Sequence, residues 1–335
     1  MILVTGGTGL VGAHLMYFLL NENRNVRAIY RKGSDLNGVK KVFSTYTSNS
    51  DSLFDKIDWV EADILDIPAL TEAFINVSQV FHCAAYINFN PAKYRKLKKN
   101  NMEGTANVVN LCLATGVIKL CYVSSVATFG KTLKNSSINE ENGWNPDEKN
   151  SVYSITKYLA EMEVWRGTQE GLDAVIVNPG IIFGTSPNNR GSGIISKLVS
   201  RSINYYPPGT MGIVDVQDVV KAMILLMDSN IINQQYILVG ENVSYKYILD
   251  QMAELNDKKY TSKKLSKGFM YFLSGLDWLS SKLFGTKRRL VNSTVRSMFS
   301  TSIYDSSKIK KQLNFEFTPT KKTLQNLIAN ERKLN

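Results

Sequence analysis

The chain has 335 residues, 44% hydrophobic and 21% charged, a composition that excludes extensive disorder and a length that exceeds what one hydrophobic core usually serves, so two packed units, or one with a large annex, are expected. The net charge of +11 is unevenly placed: residues 258–335 hold 17 Lys and Arg against 4 Asp and Glu, a larger excess than that of the whole chain, so the first 257 residues are slightly acidic. No apolar run approaches the roughly 18 residues of a membrane-spanning helix, and no basic stretch followed by a long apolar one opens the chain as a secretory signal would.

In chain order, "ILVTGG" is a short β run ending in glycines, and "LVGAHLMYFLLNEN" follows with the apolar spacing of a helix. The next strands are "NVRAIYR", "IDWVEADI", "VSQVFHCAA" and "IKLCYVSSVATFG", with helices in "PALTEAFINV" and "NMEGTANVVNLCLATG". After "SVYSITKYLAE", read as helical, comes the buried strand "DAVIVNPG"; later "VQDVVKAMILLMD" reads as a helix and "QYILVG" as a strand returning to the sheet. Strands alternating with helices imply βαβ units and a parallel sheet covered on both faces. The expected fold class is therefore α/β: a doubly wound parallel sheet of the Rossmann type, with a smaller interleaved C-terminal substrate domain. The dinucleotide-binding domain is expected over 1–178 and 214–239, the substrate domain over 179–213 and 240–335. Cys83, Cys112 and Cys121 lie in apolar segments without metal-ligand spacing. They read as reduced core residues of a cytoplasmic protein, and no metal site is expected. His14 and His82 sit in core-like runs and receive no catalytic role.

The segment "VTGGTGLVG" places Gly6, Gly9 and Gly12 directly after a strand and at the opening of a helix. In that context glycines allow a tight turn and close backbone approach to a dinucleotide pyrophosphate at the positive helix N-terminus. At the end of the second strand a carboxylate would favour NAD and an arginine NADP. The chain has Tyr30 there, followed by Arg31 and Lys32. This favours NADP; NAD stays open, because the two cations also read as solvated loop residues. Tyr153 and Lys157 are four residues apart on one helix. Side chains at that spacing stand over one another, which aims a phenol and an ammonium at one point.

Eight motifs in order, "TGGTGLVG", "ADILD", "HCAAY", "NMEGT", "YVSSVATFG", "YSITK", "NPGIIFG" and "VDVQDV", span residues 2 to about 240. On these the chain resembles the extended short-chain dehydrogenase/reductases, the NAD-dependent epimerase/dehydratase family. The resemblance implies that Ser125, Tyr153 and Lys157 form the catalytic set and that Asp63 and Ile64 touch the adenine. Ala84, Ala85, Leu10, Val11 and Pro179 would line the cofactor, and Asn101 would sit near the active site or cap a helix. A homodimer is also implied. In this reading Tyr153 gives a proton to a carbonyl oxygen as hydride arrives from the nicotinamide, and the neighbouring Lys157 ammonium lowers the phenol pKa and holds the nicotinamide ribose. Ser125 donates to the substrate oxygen.

Within the family, sugar-nucleotide dehydratases need an acid and base pair after the serine motif, where this chain has Val126 and Ala127. Sugar-nucleotide epimerases often clamp the pyrophosphate with an arginine just before the "VDV" segment; Met211 and Gly212 occupy that neighbourhood, with Arg190 or Arg201 as substitutes. The segments "VRAIYR", "NPGIIFG" and "GIVDVQDV" look most like the dihydroflavonol-reductase-like and 3β-hydroxysteroid-dehydrogenase-like branch. The expected activity is NADPH-dependent reduction of a ketone or aldehyde, with an NAD-dependent sugar-nucleotide epimerase and a non-catalytic cofactor-binding regulator as alternatives.

In the basic quarter, "FMYFLSGLDWLSSKLFGTKRR" places Phe269, Phe272, Leu273, Leu276, Leu279 and Leu283 on one helical stripe, with Lys282, Lys287, Arg288 and Arg289 at its end. The expectation is that the stripe packs on the substrate domain as a lid over the pocket. Membrane contact would then be at most weak and salt-sensitive. No nucleic-acid partner is expected, since aromatic and basic residues do not interleave and no binding module is recognisable.

Overall fold

A computed structural model of the protein describes residues 1–130, 137–187, 205–256 and 262–334. Its centre is a seven-stranded sheet in which every pairing is parallel. The strands are β1 (Ile2–Thr5), β2 (Val26–Tyr30), β3 (Asp58–Glu61), β4 (Gln79–His82), β5 (Lys119–Val123), β6 (Ala174–Pro179) and β7 (Gln234–Leu238). They lie in the order β7-β6-β5-β4-β1-β2-β3. These are the seven strands expected from the sequence, and the doubly wound α/β class holds.

Strand order reverses between β1 and β4, which opens a crevice beyond their C-terminal ends, the position where open α/β sheets take ligands. On one face, Leu15, Met16 and Leu19 of α1 (Leu10–Asn21) pack with Val219, Met223 and Leu226 of the later helix Val216–Asp228. On the other, Val108, Val109 and Cys112 of α2 (Gly104–Thr115) pack with Ala160 and Val164 of α3 (Val152–Gln169). The inner strands are largely buried on both sides because both faces are covered, whereas β3 at the sheet edge has Asp58 and Glu61 exposed. A smaller sheet pairs Ile181–Phe183 and Glu241–Ser244 with the strand Thr210–Asp215 between them.

The helix of the basic quarter, Lys267–Phe284, does form, but its apolar stripe is turned outward. Phe272 is 62% exposed and Leu283 65%, so the expected lid packing is not what the fold adopts. No helix among the described residues is long and apolar enough to cross a membrane.

Candidate active site

The glycine turn closes against the neighbouring strand. Gly6 has φ of +71°, and a Cβ there would lie 2.7 Å from the backbone nitrogen of Ala84. A Cβ on Gly12 would lie 2.3 Å from the Gly6 carbonyl oxygen, so both positions exclude any side chain. Gly9 is extended at the start of α1 and offers the helix no side-chain cap, and Leu10 and Val11 form the first turn. The ends of β1 and β4 are tied together by buried polar groups. His82 Nδ1 is 2.6 Å from the Thr5 hydroxyl, His82 Nε2 is 2.9 Å from the Thr105 hydroxyl, and Ala84 N–H donates to Thr5 at 3.2 Å. Burial brings His82 down to about 3, so it is a neutral structural group. His14 is likewise buried, between Tyr46 and the Thr185 carbonyl, and is brought down to about 4.

Beside the turn, at the ends of β2 and β3, lies a cavity of about 600 Å³ lined by Thr8, Arg31, Lys32, Asp35, Glu61 and Asp63 among others. Asp63 lines it and accepts from the Leu65 N–H at 3.0 Å. Ile64 turns its side chain into the core, where it meets Gly104. The glycines that no side chain could replace, the uncapped helix start and this adjoining cavity together fit a dinucleotide.

Ser125 follows β5 and starts a short 3-10 turn, Val126–Thr128, its hydroxyl accepting from the Ala127 N–H at 3.2 Å. Helix α3 starts at Ser151, whose hydroxyl accepts from the Ser154 N–H at 3.0 Å, an N-cap that sets the helix phase. That phase aims Tyr153, Lys157 and Glu161, at successive four-residue steps, along one face. Burial pushes the Tyr153 phenol up to about 12, and the neighbouring Ser125 hydroxyl acts against that rise. The Phe89 ring stands edge-on to Tyr153, with centroids 5.3 Å apart.

Lys157 differs from its expected arrangement. Its ammonium donates to the Tyr122 hydroxyl at 2.6 Å and to the Val123 carbonyl at 2.7 Å, and it lies 4.3 Å from the Tyr122 ring centroid. Two good acceptors at the end of β5 hold it in the interior, where burial lowers it to about 7 against the opposing pull of Glu161. Glu161 is itself buried, accepting from Ser124 at 2.5 Å and from Asn178 at 3.0 Å, and burial raises its carboxyl.

The sequence reading singled out neither Tyr122 nor Glu161. Glu161 continues the four-residue spacing of Tyr153 and Lys157 and was findable on that ground. Tyr122 meets Lys157 across 35 positions, which no local pattern signals.

Asn101 does not cap a helix end. It lies in the π-helical segment Lys99–Glu103, accepts from Tyr86 N–H at 2.7 Å, and donates to the Tyr86 carbonyl at 3.1 Å and Thr156 at 3.2 Å. Its amide thus pins the segment after Ala84 and Ala85 to α3. Pro179 ends β6, buried and paired with Leu238. Arg190 and Arg201 lie outside the described residues. Met211 is buried, and a Cβ on Gly212 would lie 2.9 Å from Tyr304 and Val239 side-chain atoms.

A crevice at the strand-order reversal, a glycine turn and a Ser-Tyr-Lys cluster are the marks of a dinucleotide-dependent oxidoreductase. Residues 2–240 match the model of the NAD dependent epimerase/dehydratase family, and the chain belongs to that family. It is 27% identical to sterol demethylase protein B of Methylococcus capsulatus, over 98% of this chain and 97% of the relative. It is 30% identical to a putative dihydroflavonol 4-reductase of Synechocystis, over 75% of this chain and 71% of the relative. Among solved structures, that of gox2253 superposes with a TM-score of 0.80 at 27% identity, covering 99% of this chain and 98% of that one.

Proposed function

We propose that the protein reduces a ketone or aldehyde to an alcohol with NADPH, and that Ser125, Tyr153 and Lys157 carry the reaction. The observation behind this reading is the placing of the Tyr153 phenol beside Ser125, on a helix that also presents Lys157 to the end of β5. The bound dinucleotide supplies the hydride. Tyr153 holds its proton at neutral pH, since burial keeps the phenol near 12, and gives it to the carbonyl oxygen as charge develops there. Ser125 donates a hydrogen bond to the same oxygen and orients it. Lys157 is assigned to the nicotinamide ribose, with Tyr122 and Val123 fixing its ammonium. Gly6, Gly9 and Gly12 admit the pyrophosphate, and Asp63 takes the adenine side.

NADPH is preferred over NADH in this reading because Arg31 and Lys32 line the cavity. Asp35, Glu61, Asp63 and Asp66 share that cavity and would repel a 2′-phosphate without the two cations. The similarity to proteins named for sterol demethylation and dihydroflavonol reduction supports a bulky apolar carbonyl. Buried Met211 and packed Gly212, where an arginine clamp is sought, count against a sugar nucleotide. The test is NADPH and NADH oxidation with steroid-like, aromatic, aliphatic and sugar-nucleotide carbonyls. Turnover confined to the sugar nucleotides, or none on any carbonyl, overturns the reading.

A further inference from the structure

The helix Lys267–Phe284 is amphipathic in the reverse sense for a protein surface. Its inward face holds Met270 and Ser274, both buried, and the Ser274 hydroxyl lies 3.1 Å from the Leu290 carbonyl and 2.9 Å from Asn292 Oδ1. Asp277, one turn on, accepts from the N–H groups of Arg289 and Leu290, both at 3.0 Å. These bonds fix the helix's rotation. Its outward face carries Phe269, Phe272, Leu276, Leu279, Leu283 and Phe284, all exposed, with Phe284 at 79%. Soluble helices bury such a stripe, and a continuous apolar patch of this kind marks an interaction surface.

The charges around the stripe identify what covers it. Lys263, Lys264 and Lys267 precede it and Lys282, Lys287 and Arg289 follow, all exposed, while Asp277, turned inward, is the one acid in residues 263–289. A second copy docking face to face would set these cations against their own counterparts, since a two-fold interface pairs a patch with itself, and like charges repel. An anionic bilayer surface satisfies both features at once: acyl chains take the rings and leucines, and head groups take the lysines and arginine. Trp278 is also exposed, with the Lys282 ammonium 5.3 Å from its ring centroid, a pairing suited to the head-group boundary.

We propose that this helix docks the protein in the plane of an anionic membrane surface, apolar stripe inward. The test is cosedimentation of the full chain with phosphatidylcholine vesicles with and without phosphatidylglycerol. Binding is expected to the anionic vesicles, falling with salt but leaving a salt-resistant remainder held by the apolar stripe. The double variant Phe272→Glu, Leu276→Glu should lose that remainder while keeping its melting temperature and cofactor affinity. The variant Lys287→Gln, Arg289→Gln should weaken anionic binding by about tenfold or more. No anionic binding, binding untouched by the Phe272→Glu pair, or a solution dimer that the same pair dissolves would each overturn the proposal, the last in favour of a second copy.

Discussion

The Lys157 ammonium and the Tyr122 hydroxyl lie 2.6 Å apart, both fully buried, with the Tyr122 ring also within cation–π reach. The lysine at the centre of the candidate site is therefore held from the sheet side by a residue of β5, in an interior where burial lowers its pKa.

Tyr122→Phe removes one of the ammonium's acceptors and retains the ring. Lys157 should fall further below its present value of about 7, so the pH limb of kcat/KM that reports it moves to lower pH. Losing a buried partner should also cost about 1–3 kcal/mol of stability. An unmoved pH profile would show that Tyr122 only fills space.

Tyr153→Phe keeps the ring against Phe89 and removes the proton donor. Cofactor binding should be unchanged and turnover should drop by roughly 10² to 10⁴, the worth of a positioned general acid. Single-turnover rates beside calorimetric cofactor titration separate the two effects; a loss of only a few fold would take Tyr153 out of the mechanism.

Lys157 also predicts a pH dependence of stability. Unfolded, it binds a proton below 10.5; folded, only below about 7. Between those values the unfolded chain holds the extra proton, so this residue makes stability rise with pH, by at most about 1.4 kcal/mol per pH unit. Denaturant unfolding of the cofactor-free protein from pH 7 to 9 should show that slope, and Lys157→Met should remove it. Equal slopes in both would mean the lysine stays charged in the fold.

Arg31→Asp should weaken NADPH and improve NADH, because a carboxylate in that cavity accepts a ribose hydroxyl and repels a phosphate. Fluorescence titration with both nucleotides measures the ratio, and a wild-type preference for NADH would remove Arg31 from cofactor selection.

The inner strands of the large sheet were legible because a parallel sheet covered on both faces needs near-continuous apolar runs, and the edge strand Asp58–Glu61, charged at both ends, was legible from its place in the alternation of strands and helices. The glycine turn and the Tyr153 to Lys157 spacing were legible because their geometry is local. Contacts that join distant strands to α3, such as Tyr122 with Lys157 or Asn178 with Glu161, leave no periodic trace. The Lys267–Phe284 helix shows a subtler limit. Its period announced an apolar stripe, but the same period serves a helix packed on protein and one turned away from it; the inward anchors Ser274 and Asp277 decided the direction.

Gly6, Gly9 and Gly12 of the turn do not vary independently. A side chain at Gly12 would occupy the space of the Gly6 carbonyl, one at Gly9 would approach the same oxygen at 3.1 Å, and one at Gly6 would collide with the strand beyond. No single replacement makes room for another, because each intrudes on a different part of the same few atoms. Single replacements are thus barred at Gly6 and Gly12 while they stay open in the cavity beside the turn, where Arg31 and Lys32 border solvent. A lineage could exchange its reductant there without rebuilding the loop that carries it.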